Sequence, residues 1–461
     1  MNRFFLFSTL LALGVALAGN SLSDTGEDKP GGAATSKGPR NRSAFSNPSG
    51  NLPFDKQLDF KVGDGVFRKL WVAAPSSTKS SDGLGPLFNA RACQACHLKD
   101  GRGRPPAAGE TPSSLLFALA RADGSADPVY GHQLQTFGTQ GHAAEANVET
   151  THELRPITLT DGMVVTLRKP HYKLVDPGYG PFDRTTTIAP RIAPPMIGMG
   201  LLELIPEADI MARADPEDLN GDGIRGRFRR VPSPSEGGAM KLGRFGWKTG
   251  TASVADQTAT AFKNDMGLST PIFPEDYGDC TPAQKTCREA PHGSEGNEPE
   301  VPQKLFDLTV FYAHHLAVPA REGIAAPAVR QGQKLFNDIG CAACHTPKHV
   351  TGRSDSFPEL SGQTIWPYTD MLLHDMGDDL ADPNGLDGSS PLGRVWRTQP
   401  LWGLGLTRRV NDHFYLLHDG RADGILEAVL WHGGEAAKAR DRVIALSGSD
   451  REALLAFLES L

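Results

Sequence analysis

Two short cysteine-histidine motifs are the part of this sequence whose residue types and spacing most directly imply chemistry. They read Cys-Gln-Ala-Cys-His at residues 93–97 and Cys-Ala-Ala-Cys-His at residues 341–345. Two thiols three residues apart on one helical turn reach the two vinyl groups of a haem edge, and the adjacent histidine then points at the iron. One such motif can belong to a zinc site or a redox dithiol, but two in one chain favour haem. We therefore predict two covalently bound haem c groups, held by Cys93, Cys96 and His97 and by Cys341, Cys344 and His345.

The N-terminus has the pattern of an export signal. Arg3 precedes a short apolar run over residues 4–15, and Ala16-Leu17-Ala18 offers a cleavage site of small residues. We expect a signal peptide at residues 1–18 and a periplasmic protein, with membrane attachment only if the signal stays uncleaved. Both haem motifs suit this location, because haem attachment of the bacterial type takes place outside the inner membrane.

The two remaining cysteines, Cys280 and Cys287, lie in a loop rich in Gly, Pro and Asp. In an oxidising compartment such a close pair is most often a local disulfide. A redox-active dithiol is the alternative, although catalytic pairs usually have CxxC spacing at the start of a helix.

The elements that must position these sites are expected to be mainly α. We predict a disordered tether at 19–53, an N-terminal haem domain at 54–322 and a C-terminal cytochrome c-like haem domain at 323–461. Long irregular loops and a small β-hairpin insertion at about 130–185 complete the first domain, because apolar strands flank Asp161-Gly162. A Leu-Phe-Asn sequence before each haem motif suggests the same helix end twice.

Charge and composition bound the partners. The formal net charge of −7 argues against nucleic acid as a partner, because binding its backbone needs a concentrated basic face.

A possible calcium site lies further along the chain. Asp218, Asn220 and Asp222 alternate around a glycine turn as in the first half of an EF-hand loop. The twelfth position is Arg229 and not Glu. A calcium loop and a solvated Asx-rich turn therefore both stay open.

The sequence around the haem motifs resembles the di-haem oxidoreductase family, whose members are labelled peroxidase or thiol oxidoreductase. The resemblance rests on residues 83–90 (GLGPLFNA), 100–106 (DGRGRPP) and 373–377 (LHDMG) and extends over about residues 55–461. More distantly, patches are similar to the bacterial di-haem cytochrome c peroxidases. That similarity implies a division of labour in which the N-terminal haem reacts with peroxide and the C-terminal haem takes in electrons.

The same resemblance implies an axial ligand for the second haem. In the peroxidases it follows fourteen residues after the His of a His-Asp-Gly segment, which here leads from His418 to His432. The usual residue is Met, so His432 implies a His/His haem of lower potential. His374 and Met376 are the competing candidates. Met196 and Met199 could reach the first iron, but Met at helical spacing is more often core.

A second patch implies the peroxide pocket. Trp247 matches the residue that bridges the haems in the relatives, Gln257 follows ten residues later, and Asp265 stands where the relatives have Glu. Each also has an ordinary interpretation, as core, helix surface and helix cap respectively. A carboxylate near the iron can move the proton that O–O cleavage requires. Glu203 is a second candidate, since a carboxylate buried in an apolar helix would have a raised pKa.

Together these features predict an enzyme: a periplasmic cytochrome c peroxidase-like oxidoreductase. The expected partners are peroxide or a small organic substrate and a periplasmic electron donor, such as a small cytochrome or a cupredoxin. A pure electron-transfer di-haem cytochrome and a haem-dependent oxygenase remain as alternatives.

Overall fold

The computed structural model describes residues 26–107, 109–383 and 392–461. The expected signal peptide lies outside these ranges. The helices are α1 Gln57–Arg68, α2 Cys93–Cys96, α3 Met199–Glu203, α4 Glu207–Met211, α5 Val254–Met266, α6 Lys285–Arg288, α7 Gln303–His315, α8 Pro327–Ile339, α9 Thr407–Asn411, α10 Ile425–Leu430, α11 Ala437–Ile444 and α12 Gly448–Ser460. The strands are β1 Leu87–Phe88, β2 Leu115–Ala120, β3 Phe137–Gly138, β4 Asn147–Thr158, β5 Val164–Val175, β6 Thr187–Ile192, β7 Arg230–Ser233, β8 Ala239–Leu242, β9 His349–Val350, β10 Thr364–Ile365, β11 Leu373–Asp375, β12 Val395–Arg397, β13 Tyr415–Leu416 and β14 Ala422–Asp423.

The prediction of a mainly α fold was wrong. The described chain is 31% helix and 17% strand, and its strands form seven small sheets. Each sheet is a pair of antiparallel strands, and most of these strands are only two to four residues long. Strands this short carry no period-2 pattern that a sequence could display. They satisfy the backbone hydrogen bonds of loops that run around the two haem motifs.

Each haem motif is supported by a pair of packed helices. Helix α1 packs against α7 beside the first motif, and α8 packs against α12 beside the second. A glycine allows close approach in both pairs. A Cβ at Gly63 would lie 2.7 Å from Cβ of Tyr312, and a Cβ at Gly332 would lie 2.6 Å from Cβ of Phe457. The two units are therefore structural repeats.

The repeated Leu-Phe-Asn sequence is not the basis of this repeat. Before the second motif it lies within α8, as expected, but before the first it begins with strand β1. Phe88 of that strand stacks on Phe137 with ring centroids 5.7 Å apart. The residue equivalent to Phe336 is Phe67 in α1. The ring centroid of Phe67 lies 6.4 Å from that of His97, and the ring centroid of Phe336 lies 6.4 Å from that of His345.

The long hairpin of β4 and β5 lies where the sequence predicted it. The two strands pair along their full length, from Asn147 opposite Val175 to Thr158 opposite Val164. Gly162 takes a left-handed φ of 87° in the connecting turn, a conformation in which glycine lacks the usual steric penalty.

The loop that contains Cys280 and Cys287 is closed by a disulfide between them. Their Cα–Cα distance is 6.2 Å, which is inside the usual range for a bridge.

The described part of the expected tether, residues 26–53, packs on the rest of the protein. Ala34 and Phe45 are each only 1% exposed and join a core that includes Leu201 and Trp402. Few large apolar residues are present in this segment, but small ones fit where backbones approach closely.

None of the helices in the described ranges is long and apolar enough to cross a bilayer.

Candidate functional site

The first haem motif lines a cavity of about 510 Å³. Helix α2 carries Cys93 and Cys96, and its C-cap residue is His97. All three side chains line the cavity, and so do the three residues predicted for the peroxide pocket: Trp247, Gln257 and Asp265. The structure therefore brings together, around one motif, residues separated by up to 172 positions in sequence.

Asp265, near the end of α5, is enclosed by protein while part of its surface faces the cavity. Burial raises the pKa of its carboxyl group to about 6, and a hydrogen bond from Gln133 opposes part of that shift. The Gln133 side chain donates from Nε2 to Asp265 Oδ1 at 2.8 Å and to Asn89 Oδ1 at 2.8 Å. The backbone carbonyl of Asp265 accepts from the N–H groups of Asn89 and Ala90. The carboxyl group is thus fixed, and its pKa is suited to exchange of a proton near neutral pH.

Trp247 and Gln257 are held in defined positions at the same cavity. Trp247 donates from Nε1 to the carbonyl of Ile192 at 2.8 Å. Its ring meets that of Trp396 edge to face, with centroids 6.3 Å apart, and Trp396 stacks on His418 at 3.9 Å. Gln257 accepts a hydrogen bond from the Thr251 hydroxyl at 2.9 Å. No described residue makes a hydrogen bond to the amide nitrogen of Gln257.

Three histidines share the arrangement that a haem ligand needs. Nδ1 of His97 lies 2.8 Å from the carbonyl of Pro194, Nδ1 of His345 lies 3.0 Å from that of Tyr368, and Nδ1 of His432 lies 2.7 Å from that of Ala428. An N–H donated to a carbonyl fixes the tautomer and leaves Nε2 for the metal. Burial, with a contribution from neighbouring His432, lowers the pKa of His345 to about 4. His432 is therefore close to the second motif.

The competing ligand His374 has both ring nitrogens engaged. Nε2 lies 2.8 Å from Asp370 Oδ2, and Nδ1 lies 2.7 Å from Glu435 Oε2. Nδ1 also lies 3.7 Å from the Cys344 sulfur, so His374 is an ion-paired neighbour of the second motif. Met376 packs in the core around the second motif.

Glu203 differs from its expected state. Burial is the largest single effect and acts to raise the pKa of its carboxyl group. The hydrogen bond and charge of His314, with smaller contributions from the Val254 N–H and Arg244, together outweigh burial, so the net pKa shift is downward. Oε1 lies 3.0 Å from His314 Nε2, and Oε2 accepts from the N–H of Val254 at the start of α5. Glu203 does not line the cavity. It ties α3 to α5 and α7, and the expectation of a raised pKa was wrong because its histidine partner could not be seen in sequence.

Two buried arginines at the cavity fit the carboxylates of a haem. Arg102 is 8% exposed, burial lowers its pKa to about 10, and its Nη1 has no hydrogen-bond partner among the described residues. Arg397 is 7% exposed, and within the described ranges its guanidinium bonds only neutral groups: the Gly246 carbonyl, Gln399 and the Met371 sulfur. A desolvated cation without a carboxylate partner is costly, and haem propionates would supply the missing charge. The donor set of this cavity therefore fits a haem.

The loop of Asp218, Asn220 and Asp222 is folded by its own side chains. Asp218 Oδ1 accepts from the N–H of Gly223, Asn220 Oδ1 from that of Asp222, and Asp222 Oδ1 from that of Ile224. Within the described ranges, the one group of ligand atoms close enough to share an ion is Cys344, Asp370 and His374. The loop has the geometry of an Asx-rich turn.

Sequence reasoning missed Gln133, Arg102 and Arg397. No sequence motif marks any of the three as a site residue, although Arg102 lies in the DGRGRPP segment that supported the family resemblance. Their roles depend on long-range approach of separate loops. A buried arginine without an acid cannot be recognised before burial is known.

Two helix-pair units, each carrying a Cys-Cys-His motif, define a class of redox proteins built around two haems. The particular family follows from direct comparison. The chain belongs to the family described as "Di-haem oxidoreductase, putative peroxidase", whose model matches residues 25–116 and 132–461. No curated protein and no solved structure matches the sequence.

Proposed function

We propose that this protein is an exported di-haem c-type oxidoreductase that reduces peroxide at the haem of His97, with electrons delivered through the haem of His345. The family supplies the di-haem oxidoreductase class. The observation that carries the finer assignment is the common cavity of His97, Trp247, Gln257 and Asp265. A bound haem supplies an iron that coordinates peroxide and accepts and returns electrons.

Asp265 is the proton-moving group in this proposal. Cleavage of the O–O bond requires a proton to move from the oxygen near the metal to the leaving oxygen. The Asp265 carboxylate accepts that proton and donates it to the departing oxygen. Gln133 holds Oδ1 at 2.8 Å, so Oδ2 is the oxygen directed to peroxide. The amide nitrogen of Gln257, which lines the same cavity, can orient the peroxide by donating a hydrogen bond.

The second haem serves as the electron entry. His345 and His432 would hold this haem through their imidazoles, and a haem held on both sides would pass electrons and bind no substrate. Trp247 lines the first cavity and also belongs to the apolar core that contains Trp396, Trp431 and Cys341 beside the second motif. This aromatic core offers a short electron route between the two sites. The donor is a small periplasmic cytochrome or cupredoxin.

Spectra of the purified protein in oxidised and half-reduced states test the assignment. The proposal expects two covalent haems, one high-spin component that binds cyanide, and consumption of hydrogen peroxide with oxidation of a reduced donor. Two low-spin haems inert to cyanide in both states would leave only the electron-carrier alternative. Oxygen uptake with an alkene, and no reaction with peroxide, would favour the oxygenase alternative.

A further inference from the structure

The two helix-pair units pack alike but differ in one hydroxyl group, that of Tyr312 in the first unit. In the first unit, Tyr312 of α7 contacts Phe67 with ring centroids 5.3 Å apart. In the second, Phe457 of α12 contacts Phe336 at 5.2 Å. A glycine faces each of these residues. A Cβ placed at Gly63 would lie 2.7 Å from Cβ of Tyr312, and one placed at Gly332 would lie 2.6 Å from Cβ of Phe457. Tyr312 and Phe457 are therefore equivalent positions that differ by one hydroxyl.

The extra hydroxyl has a specific partner. Tyr312 is fully buried and donates from its hydroxyl to Asp100 Oδ1 at 2.7 Å. Asp100 is 2% exposed, and its other oxygen accepts from the Ser46 hydroxyl at 2.5 Å. Asp100 is three positions after His97 in sequence, and the residue three positions after His345 is Lys348. The positions equivalent to Tyr312 and Asp100 therefore carry no phenol and no carboxylate in the second unit. A different buried phenol there, that of Tyr368, donates to Glu27 Oε2 at the longer distance of 3.2 Å.

The pair lies next to the first haem motif. Phe67 bridges Tyr312 to His97, with centroid distances of 5.3 Å and 6.4 Å. Cys93 packs against the apolar cluster that contains Tyr312 and Phe67. Thr309 and Ala313, which flank Tyr312 on α7, line the cavity. An oxidised haem at this motif would therefore be within a few residues of an enclosed phenol.

We propose that Tyr312 and Asp100 form a proton-coupled redox site beside the first haem. Tyr312 gives one electron to the haem of His97 after that haem has been oxidised by peroxide. The phenolic O–H bond breaks, and its proton passes along the existing hydrogen bond to Asp100. An electron arriving from the second haem then reduces the neutral tyrosyl radical, and the proton returns from Asp100. The site stores one oxidising equivalent away from the cavity and so limits damage to the haem.

The inference rests on the proposed function, because peroxide is the oxidant. Freeze-quench EPR after equimolar hydrogen peroxide is therefore run beside a second oxidant, photogenerated tris(bipyridine)ruthenium(III), which oxidises haem iron without peroxide. Protein containing ring-deuterated tyrosine identifies a tyrosyl signal by its narrowing. The variants are Tyr312→Phe, which copies the natural residue of the second unit, and Asp100→Asn, which keeps an oxygen acceptor but cannot take the proton.

Tyr130→Phe is the matched control, because Tyr130 is equally buried but its hydroxyl bonds a backbone carbonyl, that of Gly180. The wild type and Tyr130→Phe should give the tyrosyl signal. Tyr312→Phe should lose it with unchanged resting haem spectra and faster haem bleaching, and Asp100→Asn should slow its formation. A signal that appears only with the ruthenium oxidant would overturn the peroxide function but support the redox site. A signal that survives Tyr312→Phe, or no signal with either oxidant, would overturn the redox site.

Discussion

The side chain of Gln133 donates a hydrogen bond from Nε2 to Oδ1 of Asp265 at 2.8 Å. This contact joins the segment before the long hairpin to the C-terminal turn of α5, 132 positions away. It fixes one oxygen of a carboxyl group that lines the cavity. In the proposed function, this orientation makes the carboxyl group a proton acceptor for peroxide.

Replacing this carboxyl group tests its role. Asp265→Asn should lower peroxide turnover by a factor on the order of 10²–10⁴, the usual contribution of a positioned acid-base group, while both haem spectra stay nearly unchanged. Glu203→Gln is the control, because Glu203 is outside the cavity and pairs with His314. That control should lower the unfolding temperature and keep turnover. Full activity in Asp265→Asn would exclude Asp265 as the proton carrier.

The pH dependence of turnover should report the same group. Burial raises the pKa of Asp265 to about 6, and the ionised form is the one that accepts a proton. Turnover should therefore fall about tenfold per pH unit below that pKa and level off above it. The same upward shift means that Asp265 stabilises the fold at low pH and that this contribution is lost as the pH rises through about 6. Asp265→Asn should remove the acid limb of the turnover profile, and a limb that persists in this variant would assign it to another group.

His432 should set the potential of the C-terminal haem. His432→Met replaces imidazole by thioether, which raises haem potentials. We expect an increase on the order of 0.1 V, a fraction of the roughly 0.8 V that axial ligands span. Spectroelectrochemical titration measures it, with a thioether-to-iron charge-transfer band as a second signature. Met376→Leu is the control and should leave that potential unchanged. The opposite pattern would make Met376 the ligand.

The disulfide should contribute to stability without contributing to turnover. Reduction of the denatured protein should add two hydrogens to its mass. The bond closes a short loop, with a separation of seven residues between the cysteines. For a loop of that size, the chain-entropy estimate gives about 2–3 kcal/mol. Replacing Cys280 and Cys287 by Ser should lower the free energy of unfolding by about that amount and keep peroxide turnover. Loss of turnover in a folded variant would revive the redox-dithiol interpretation.

The sequence by itself determined the chemistry that depends on local spacing. Two thiols and a histidine on one turn are complete as a haem-attachment motif without any distant residue. The hairpin around Asp161-Gly162 and the amphipathic helices α5, α7 and α8 are local in the same sense, because periodicity and turn residues specify them. The resemblance to a known family then supplied four candidate site residues, which lie too far from the haem motifs in sequence for spacing to reveal: Trp247, Gln257, Asp265 and His432.

Only the tertiary structure decided what depends on burial and long-range contact. It gave Asp265 its partner Gln133, paired Glu203 with His314, and enclosed Arg102 without an acid. It also replaced the expected mainly α architecture by short paired strands, because two-residue strands arise from loop packing and have no pattern of their own. The equivalence of Tyr312 and Phe457 belongs here too. Their sequences share little around these positions, and only the packing of two glycine-faced helix pairs aligns them.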